Sequence, residues 1–260
     1  MRSDNKIIIN ADDFGYDAAV NKAVLRSFQS ILITSASLMV NMPGFDDAVR
    51  LIQHHRFISG KIGLHLNLTE GYPLTEEIRS YTKFCDADGR FLPARKKSFF
   101  FLSQREQRAV YHEMKAQAKK AQAADIRLAH LDSHDHVHTD WALAPLASRL
   151  GREFSIPRIR LTRNMGRQGP YSRQICQEIL LRWRLGLHGD QVRTDYFGDI
   201  GDMMFLFKKR RLSGKLIEIM VHPLFDEQGA LTDGNRQDLR QQLAPILDHA
   251  HTICVSSADL

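Results

Sequence analysis

Cysteine is scarce: three residues, Cys85, Cys176 and Cys254, lie far apart in a chain of 260. Their odd number and the lack of any CxxC spacing exclude a disulfide framework and a thiolate zinc site, and point to a reducing compartment. Long apolar runs are missing too. No stretch approaches the roughly 20 residues that a membrane-spanning helix requires. The opening MRSDNKIIINADDFG has only three consecutive isoleucines before polar residues return. That is shorter than the apolar region of a secretory signal, so a cytoplasmic location is expected. There is no internal repeat, low-complexity tract or Gly/Ser-rich linker, and residues 1–260 are expected to form a single domain.

Acidic residues are the last shortfall, 30 against 36 Lys and Arg, for a formal charge of +6. The imbalance is concentrated in residues 149–193, where ten arginines face only Glu153, Glu178 and Asp190, and in a second run of Lys208, Lys209, Arg210 and Arg211. Such a balance can serve nucleic acid, an anionic membrane surface or a phosphorylated substrate. No nucleic-acid-binding motif accompanies it, so no nucleic acid partner is expected. Residues 175–187 (ICQEILLRWRLGL) mix apolar positions with Arg182, Trp183 and Arg184, as an interfacial helix in peripheral membrane contact would. An amphipathic helix packed on the rest of the domain explains the same pattern and is the preferred reading.

What is present is ordinary globular material, 43% hydrophobic and 25% charged. Short apolar runs alternate with longer amphipathic ones. KIIINA (6–11) reads as a buried strand because its isoleucines are consecutive. Residues 16–29 read as a helix with Ala19, Val20, Ala23, Val24 and Phe28 on one stripe. Further strands are predicted over 34–40, 61–68, 127–133, 157–161, 215–222 and 252–255, and further helices over 45–55, 104–123, 141–152 and 237–249. Residues 70–100 read as irregular, and 165–212 carry helical patches without a clear topology. The alternation implies a parallel sheet with right-handed crossovers. About seven strands over this length make an α/β fold of the deformed or incomplete (β/α) barrel type. A dinucleotide-binding sheet is disfavoured, since no GxGxxG follows the first strand.

The reactive side chains fall at strand C-terminal ends, where such a barrel builds its sites. Asp12 and Asp13 follow the first strand, His65 lies near the end of the third, His134 just past the fourth, and His222 closes the sixth before Pro223. Each has a simpler competing role. Asp12 or Asp13 could cap the following helix, though Asp17 would also serve. His65 could be a hydrogen-bonded strand residue and His222-Pro223 a strand terminator, while His54 and His55 read as surface. The segment HLDSHDHVH (130–138) holds four histidines and two aspartates in nine positions. If extended, His130, Asp132, His134, His136 and His138 share one face. If helical from His134 onward, His134 and His138 align instead. His134 is common to both, Asp132 is placed to orient a metal ligand, and His136 and His138 to line the mouth or bind substrate.

An aspartate with two histidines suits a divalent metal with open coordination positions, and without cysteine ligands it points to catalysis. Imidazole favours zinc, whereas magnesium prefers oxygen. An adjacent carboxylate off the metal can act as general base toward water, so hydrolysis is the expected chemistry.

Five segments, NADDFG (10–15), TSASLM (34–39), GLHLNLTEGYPL (63–74), HLDSHDHVH (130–138) and EIMVHP (218–223), resemble in order and composition the YdjC/ChbG family of carbohydrate deacetylases. The resemblance spans most of the chain and fades over residues 163–214, which read as a divergent Arg-rich insertion or lid. It implies a deformed barrel and metal-dependent removal of acetyl groups from N-acetylated sugars. By position it implies Asp13, His65 and His134 as ligands of one divalent ion, zinc or magnesium. Asp12 would be the base, and His222 the acid for the departing amine or a donor to the oxyanion. Asp132, His136, His138, Asn67, Phe14 and Arg160 are candidate orienting or substrate-binding groups, with Phe14 and Trp141 as faces for sugar stacking. Relatives act on soluble chitooligosaccharides, and the arginines add a second expectation, an anionic diphosphate- or lipid-linked sugar. A metal-dependent phosphoesterase and a non-catalytic basic binding protein are the competing functions. Homodimers occur among enzymes of this size, but no residue pattern here decides it.

Overall fold

The isoleucines of β1 (Asn5–Phe14) are buried on both faces, Ile7, Ile8 and Ile9 all without solvent exposure. Helices cover one side of this strand and a packed polar interior the other. Each such side chain contributes about 1.5–3 kcal/mol of burial free energy. The computed structural model describes residues 3–93, 100–166, 180, 194–209, 212–234, 237–249, 252–256 and 259–260. Beside β1 in the main sheet lie β2 (Ser35–Leu38), β3 (Ile62–Leu66), β4 (Leu131–Ser133), β5 (Tyr196–Gly198) and β6 (Leu216–Val221), with a further short strand on β1. Their order is β4-β3-β2-β1-β6-β5, every pairing parallel. A two-residue hairpin, β7 (Leu224–Phe225) with β8 (Leu231–Thr232), stands apart. β9 (Thr252–Cys254) pairs with β1 at Asn5, Lys6 and Ile7, below the stretch that pairs with β2.

The sheet curls into a half-barrel, a single domain of the deformed (β/α) barrel type. Residues 158–164 span between its two ends. Leu131 N donates to the Arg158 carbonyl and Arg160 N to the Leu131 carbonyl, both at 2.9 Å. At the other end Asn164 N donates to the Phe197 carbonyl at 3.2 Å, and Phe197 N donates back to Asn164 Oδ1 at 2.9 Å. The predicted fifth strand is thus reduced to a single bridge, Leu131 with Ile159, because the Asn164 side chain takes over a pairing that main chain would make.

Among the described residues the α-helices are α1 (Ala18–Gln29), α2 (Phe45–His54), α3 (Glu76–Arg79), α4 (Gln104–Ala123), α5 (Ala144–Glu153), α6 (Ile200–Lys209) and α7 (Leu239–Leu247). Caps fix their starts: Asp17 accepts from Val20 N, and Ser103 with Glu106 forms a capping box on α4. α5 starts at Ala144, with Pro145 in its first turn, rather than at 141. β5 and α6 occupy the region left without topology, and the β7–β8 hairpin was not anticipated. Most of the Arg-rich stretch lies outside the described residues, Arg182, Trp183 and Arg184 included.

Strand alternation sorts the two faces. Ile7, Ile9 and Ala11 join Leu38, Leu64 and Ile219 in the apolar core beneath the helices. The opposite parity sends Asn10, Asp12, Ser37, His65, Asp132 and Glu218 into the interior, all buried. Gly63 leaves room there for a ring, since a Cβ would fall 2.3 Å from His130 Nε2. Gly63→Ala is expected to destabilise by about 1–3 kcal/mol through overpacking. In a His130→Ala background the same change should cost clearly less. Urea unfolding midpoints of the four proteins test this, and equal costs in both backgrounds would refute it.

Candidate metal centre

Two consecutive aspartates in a regular strand would point to opposite faces. At Asp13 the backbone enters the left-handed region, φ 64°, and the β1–β2 register shifts between Ala11 and Phe14. This irregularity turns Asp13 to the rim that Asp12 also meets, in a conformation aspartate tolerates better than most residues. Gly15 (φ 90°) completes the turn, where a Cβ would lie 2.5 Å from the Met39 carbonyl oxygen. With Asp17 capping α1, neither Asp12 nor Asp13 is needed for that purpose.

Asp13 Oδ1 lies 3.2 Å from His65 Nε2 and 2.8 Å from His134 Nδ1. Ligand-type atoms of the three residues all fall within 4.8 Å of one another. Behind them, His65 Nδ1 is 2.7 Å from Asp132 Oδ1, and His134 Nε2 faces Glu70 Oε2 at 3.4 Å. Each imidazole therefore turns one nitrogen to Asp13 and the other to a further carboxylate.

Asp12 stands beside this triad. Arg160 donates to both of its oxygens at 2.7 Å, and the same guanidinium reaches Asp132 Oδ2 at 2.8 Å and Glu218 Oε1 at 2.7 Å. Arg158 closes the network on Glu218 Oε2. Ser37 donates to Asp132 Oδ2 at 2.6 Å, and Asn10 Nδ2 to Asp12 Oδ1 at 2.8 Å.

Burial by itself raises carboxyl pKa values, but Arg160 outweighs it and holds Asp12 and Asp132 below the usual range. For Asp13 burial also pushes upward, and hydrogen bonds to His134 and His65 win, keeping it far below. His65 responds in the opposite sense: burial favours its neutral form, yet Asp132 and Asp13 lift it to about 10. His134 is raised as well, by Asp13 against burial. Asp12, Asp132 and Glu218 pair with two guanidinium groups, Arg158 and Arg160, and Asp13 brings the carboxylates to four against those two cations. With neutral imidazoles the cluster carries two excess negative charges, which a divalent cation would balance. One carboxylate and two imidazoles, each ring held from behind, fit such an ion.

The other predicted residues divide. After Ser133 the chain enters a 3-10 helix (His134–Thr139) broken by left-handed Asp135 and His136, so neither the extended nor the helical alignment of histidines forms. His138 does not line a mouth. It is buried, Nδ1 2.6 Å from Ser133 Oγ and Nε2 2.9 Å from the Arg160 carbonyl oxygen, and burial lowers it to about 4. His136 packs edge-on against Phe197, and burial with Arg160 nearby brings it to about 3. Asn67 commits its amide to its own loop, accepting from Thr69 N and Glu70 N and donating to the Glu70 carbonyl and Asn41. Phe14 resumes strand register opposite Leu38 and is fully buried in the core, which removes it as a sugar-stacking face. Arg160 is likewise fully buried and meets carboxylates rather than substrate. Trp141 is 39% exposed.

β6 pairs Met220 with Asn10 and Val221 with Ala11, so His222 leaves β6 at the end where Asp12 follows the paired stretch of β1. Its N–H donates to Asp233 Oδ1 at 2.6 Å. His222 lines a cavity of about 670 Å³ with Arg163, Asp199, Met220, Asp233 and Gln241. Arg158, Glu218, Ser37 and Glu70 escaped the sequence reading. Alternation with Met220 and His222 could have put Glu218 on the interior face, but nothing local ties it to Arg158, 60 residues away.

Residues 6–251 match the family described as YdjC-like protein. The chain belongs to the YdjC family. A carbohydrate deacetylase of Brevibacillus brevis is 32% identical over 247 residues, 94% of this chain and 92% of the relative. One from Vibrio cholerae serotype O1 is 33% identical over 224 residues, 85% and 79% of the two chains. A solved structure from Enterococcus faecalis V583, bearing the name of a proposed cellobiose-phosphate cleavage protein, shares the fold: TM-score 0.73 at 22% identity, covering 99% of both chains.

In this YdjC-family chain a metal held by Asp13, His65 and His134 would have to displace the proton that Asp132 and Asp13 hold on His65. The sign follows. With His65 raised to about 10, the metal-free site is protonated at neutral pH, so affinity rises with pH. Between pH 6 and 8 the apparent zinc affinity should climb about tenfold or more per pH unit, with proton release on binding. Chelator competition at several pH values measures this, and a flat profile would contradict it.

Proposed function

We propose that this protein is a metal-dependent carbohydrate N-deacetylase, hydrolysing the acetamide of an N-acetylated sugar to acetate and a free amine. The observation that carries the reading is Asp12. It is a carboxylate held ionised by Arg160, adjacent to the Asp13–His65–His134 triad and outside it. The deacetylase names of its relatives support the same chemistry.

Asp13, His65 and His134 would hold one divalent ion, and their two imidazoles favour zinc over magnesium. When bound, that ion supplies Lewis-acid polarisation of the acetamide carbonyl and acidifies water. Asp12 accepts the proton of the attacking water. Arg160 and Asn10 fix its carboxylate in place, so little reorganisation is needed as charge develops. His222, at the same end of the neighbouring strand as Asp12, gives a proton to the departing nitrogen. His138, buried, and His136, half-buried against Phe197, are neutral, take no part in proton transfer and support the floor of the site.

The sugar occupies the cavity beside His222. Asp199, Asp233 and Gln241 suit hydroxyl groups and the ammonium product, and Met220 supplies apolar contact. Arg163 is already paired with Asp199 at 3.0 Å and lies 3.7 Å from Asp202, so the described lining offers a phosphate little. That favours an uncharged glycan over a phosphoesterase substrate. The anionic or lipid-linked acceptor suggested by residues 175–187 rests on a segment of which only Leu180 is described. Among the described residues no helix is long and apolar enough to cross a membrane.

Acetate release from a panel of soluble and diphosphate-linked N-acetylated sugars tests the reading, using chelated enzyme restored with Zn, Mg, Mn or Co. Asp12→Asn is expected to lower kcat by about 10²–10⁴ while zinc affinity persists. Undiminished acetate release by that variant, or turnover of phosphate esters alone, would sink it.

A further inference from the structure

Glu70 lies on the loop that follows β3, three residues beyond Asn67, and its carboxylate reaches the centre. Oε1 accepts from the Tyr16 hydroxyl at 2.6 Å, and Oε2 lies 3.4 Å from His134 Nε2. We infer that Glu70 is the positioning residue for His134, as Asp132 is for His65, and that the loop at residues 67–75 is built to hold it there. The inference rests on reading Asp13, His65 and His134 as a metal site.

The argument starts from the imidazole. A ring that binds metal through one nitrogen must present a lone pair there, and a carboxylate on the far N–H fixes both tautomer and orientation. His134 turns Nδ1 to Asp13 and Nε2 to Glu70. His65 is arranged the other way round, Nε2 to Asp13 and Nδ1 to Asp132. The two rings therefore share one plan through opposite nitrogens, which follows from their approach from different strand ends.

The loop's construction points the same way. Asn67 accepts from Glu70 N at 3.1 Å and donates to the Glu70 carbonyl at 2.8 Å, so both sides of this residue's backbone are fixed. Asn67 is itself clamped by Gln117 on α4, whose amide donates to the Asn67 carbonyl at 2.7 Å and accepts from its N–H at 3.0 Å. Glu113, one turn earlier and fully buried, accepts from Leu74 N, Thr75 N and Thr75 Oγ1. Buried polar groups are spent on a loop only where its position matters, because each costs desolvation. These anchors fix the backbone from which the Glu70 side chain reaches the site. Tyr16, three residues beyond Asp13, ties the same carboxylate to the β1 exit.

The two arms differ in solvent access. Side chains of His65 and Asp132 are 2% and 0% exposed, those of His134 and Glu70 20% and 41%. The outer arm is more screened, which places its effect in the lower part of the range for such partners.

The test is zinc affinity of metal-stripped protein, by competition with a chromophoric chelator, alongside the visible spectrum with cobalt. Glu70→Ala should bind zinc about tenfold more weakly and alter the cobalt spectrum. Its metal-free melting temperature should stay within about 2 °C of wild type. Glu70→Gln, which keeps an oxygen acceptor for Nε2–H, should recover most of the affinity, and Tyr16→Phe should lose a few-fold. Unchanged affinity and spectrum in Glu70→Ala would overturn the inference. So would a loss that tracks a drop in metal-free stability, as a loop-only role requires and as Glu113→Ala should show. Asp13→Ala separates the two layers. If wild type shows no binding that Asp13 controls, the metal reading fails and this falls with it; if it does and Glu70 is silent, this inference alone fails.

Discussion

The guanidinium of Arg160 is the constraint on which the rest depends. It is fully buried, and its nitrogens reach Asp12 on β1, Asp132 on β4 and Glu218 on β6 while the group lies over the ring of Phe197 on β5. Stripping water from such a cation costs several kcal/mol, and only a full set of carboxylates offsets it. Removing one partner from a buried ion pair typically costs about 3–5 kcal/mol. Arg160 therefore does for the ends of this sheet what continuous main-chain pairing does elsewhere in it. The bridging segment makes few backbone hydrogen bonds, and its side chains supply the closure.

The same interaction prepares chemistry. Asp12 and Asp132 are both held ionised by Arg160, yet they face different duties: one lies outside the triad, the other behind His65. Around them the interior carries more negative than positive charge, and His65 answers by holding a proton in the metal-free state. His130, His136 and His138, pushed the other way by burial to about 3, 3 and 4, stay neutral. One short sequence segment thus supplies imidazoles of opposite character: His134, hydrogen-bonded to Asp13, is raised, whereas burial prevails at His130, His136 and His138.

Much of the fold was legible in the chain. Three consecutive isoleucines marked β1, and the helix read over 104–123 is α4 with the same bounds. What was not legible was short or side-chain-mediated. The β7–β8 hairpin offers two residues per strand, too few for a period to show. The stretch at 157–161 had strand composition and made a bridge, because Asn164 rather than a further run of backbone met β5. In the site, Phe14 belonged to a motif rich in functional groups but serves the core, since the bulge at Asp13 restores register immediately after it.

The sequence by itself determined the donor types and the rim on which they gather, because strand ends and the two-residue alternation are local properties. It also carried the five motifs that place the chain in its family. Only the tertiary structure decided which histidines converge, through left-handed residues at 13, 135 and 136. It decided the charge state of each group as well. Arg160 and Asp12 are 148 residues apart, and Arg160 and Glu218 58 apart. Coulomb attraction in a dry interior acts through space, and separations of that kind leave no period in the chain to read.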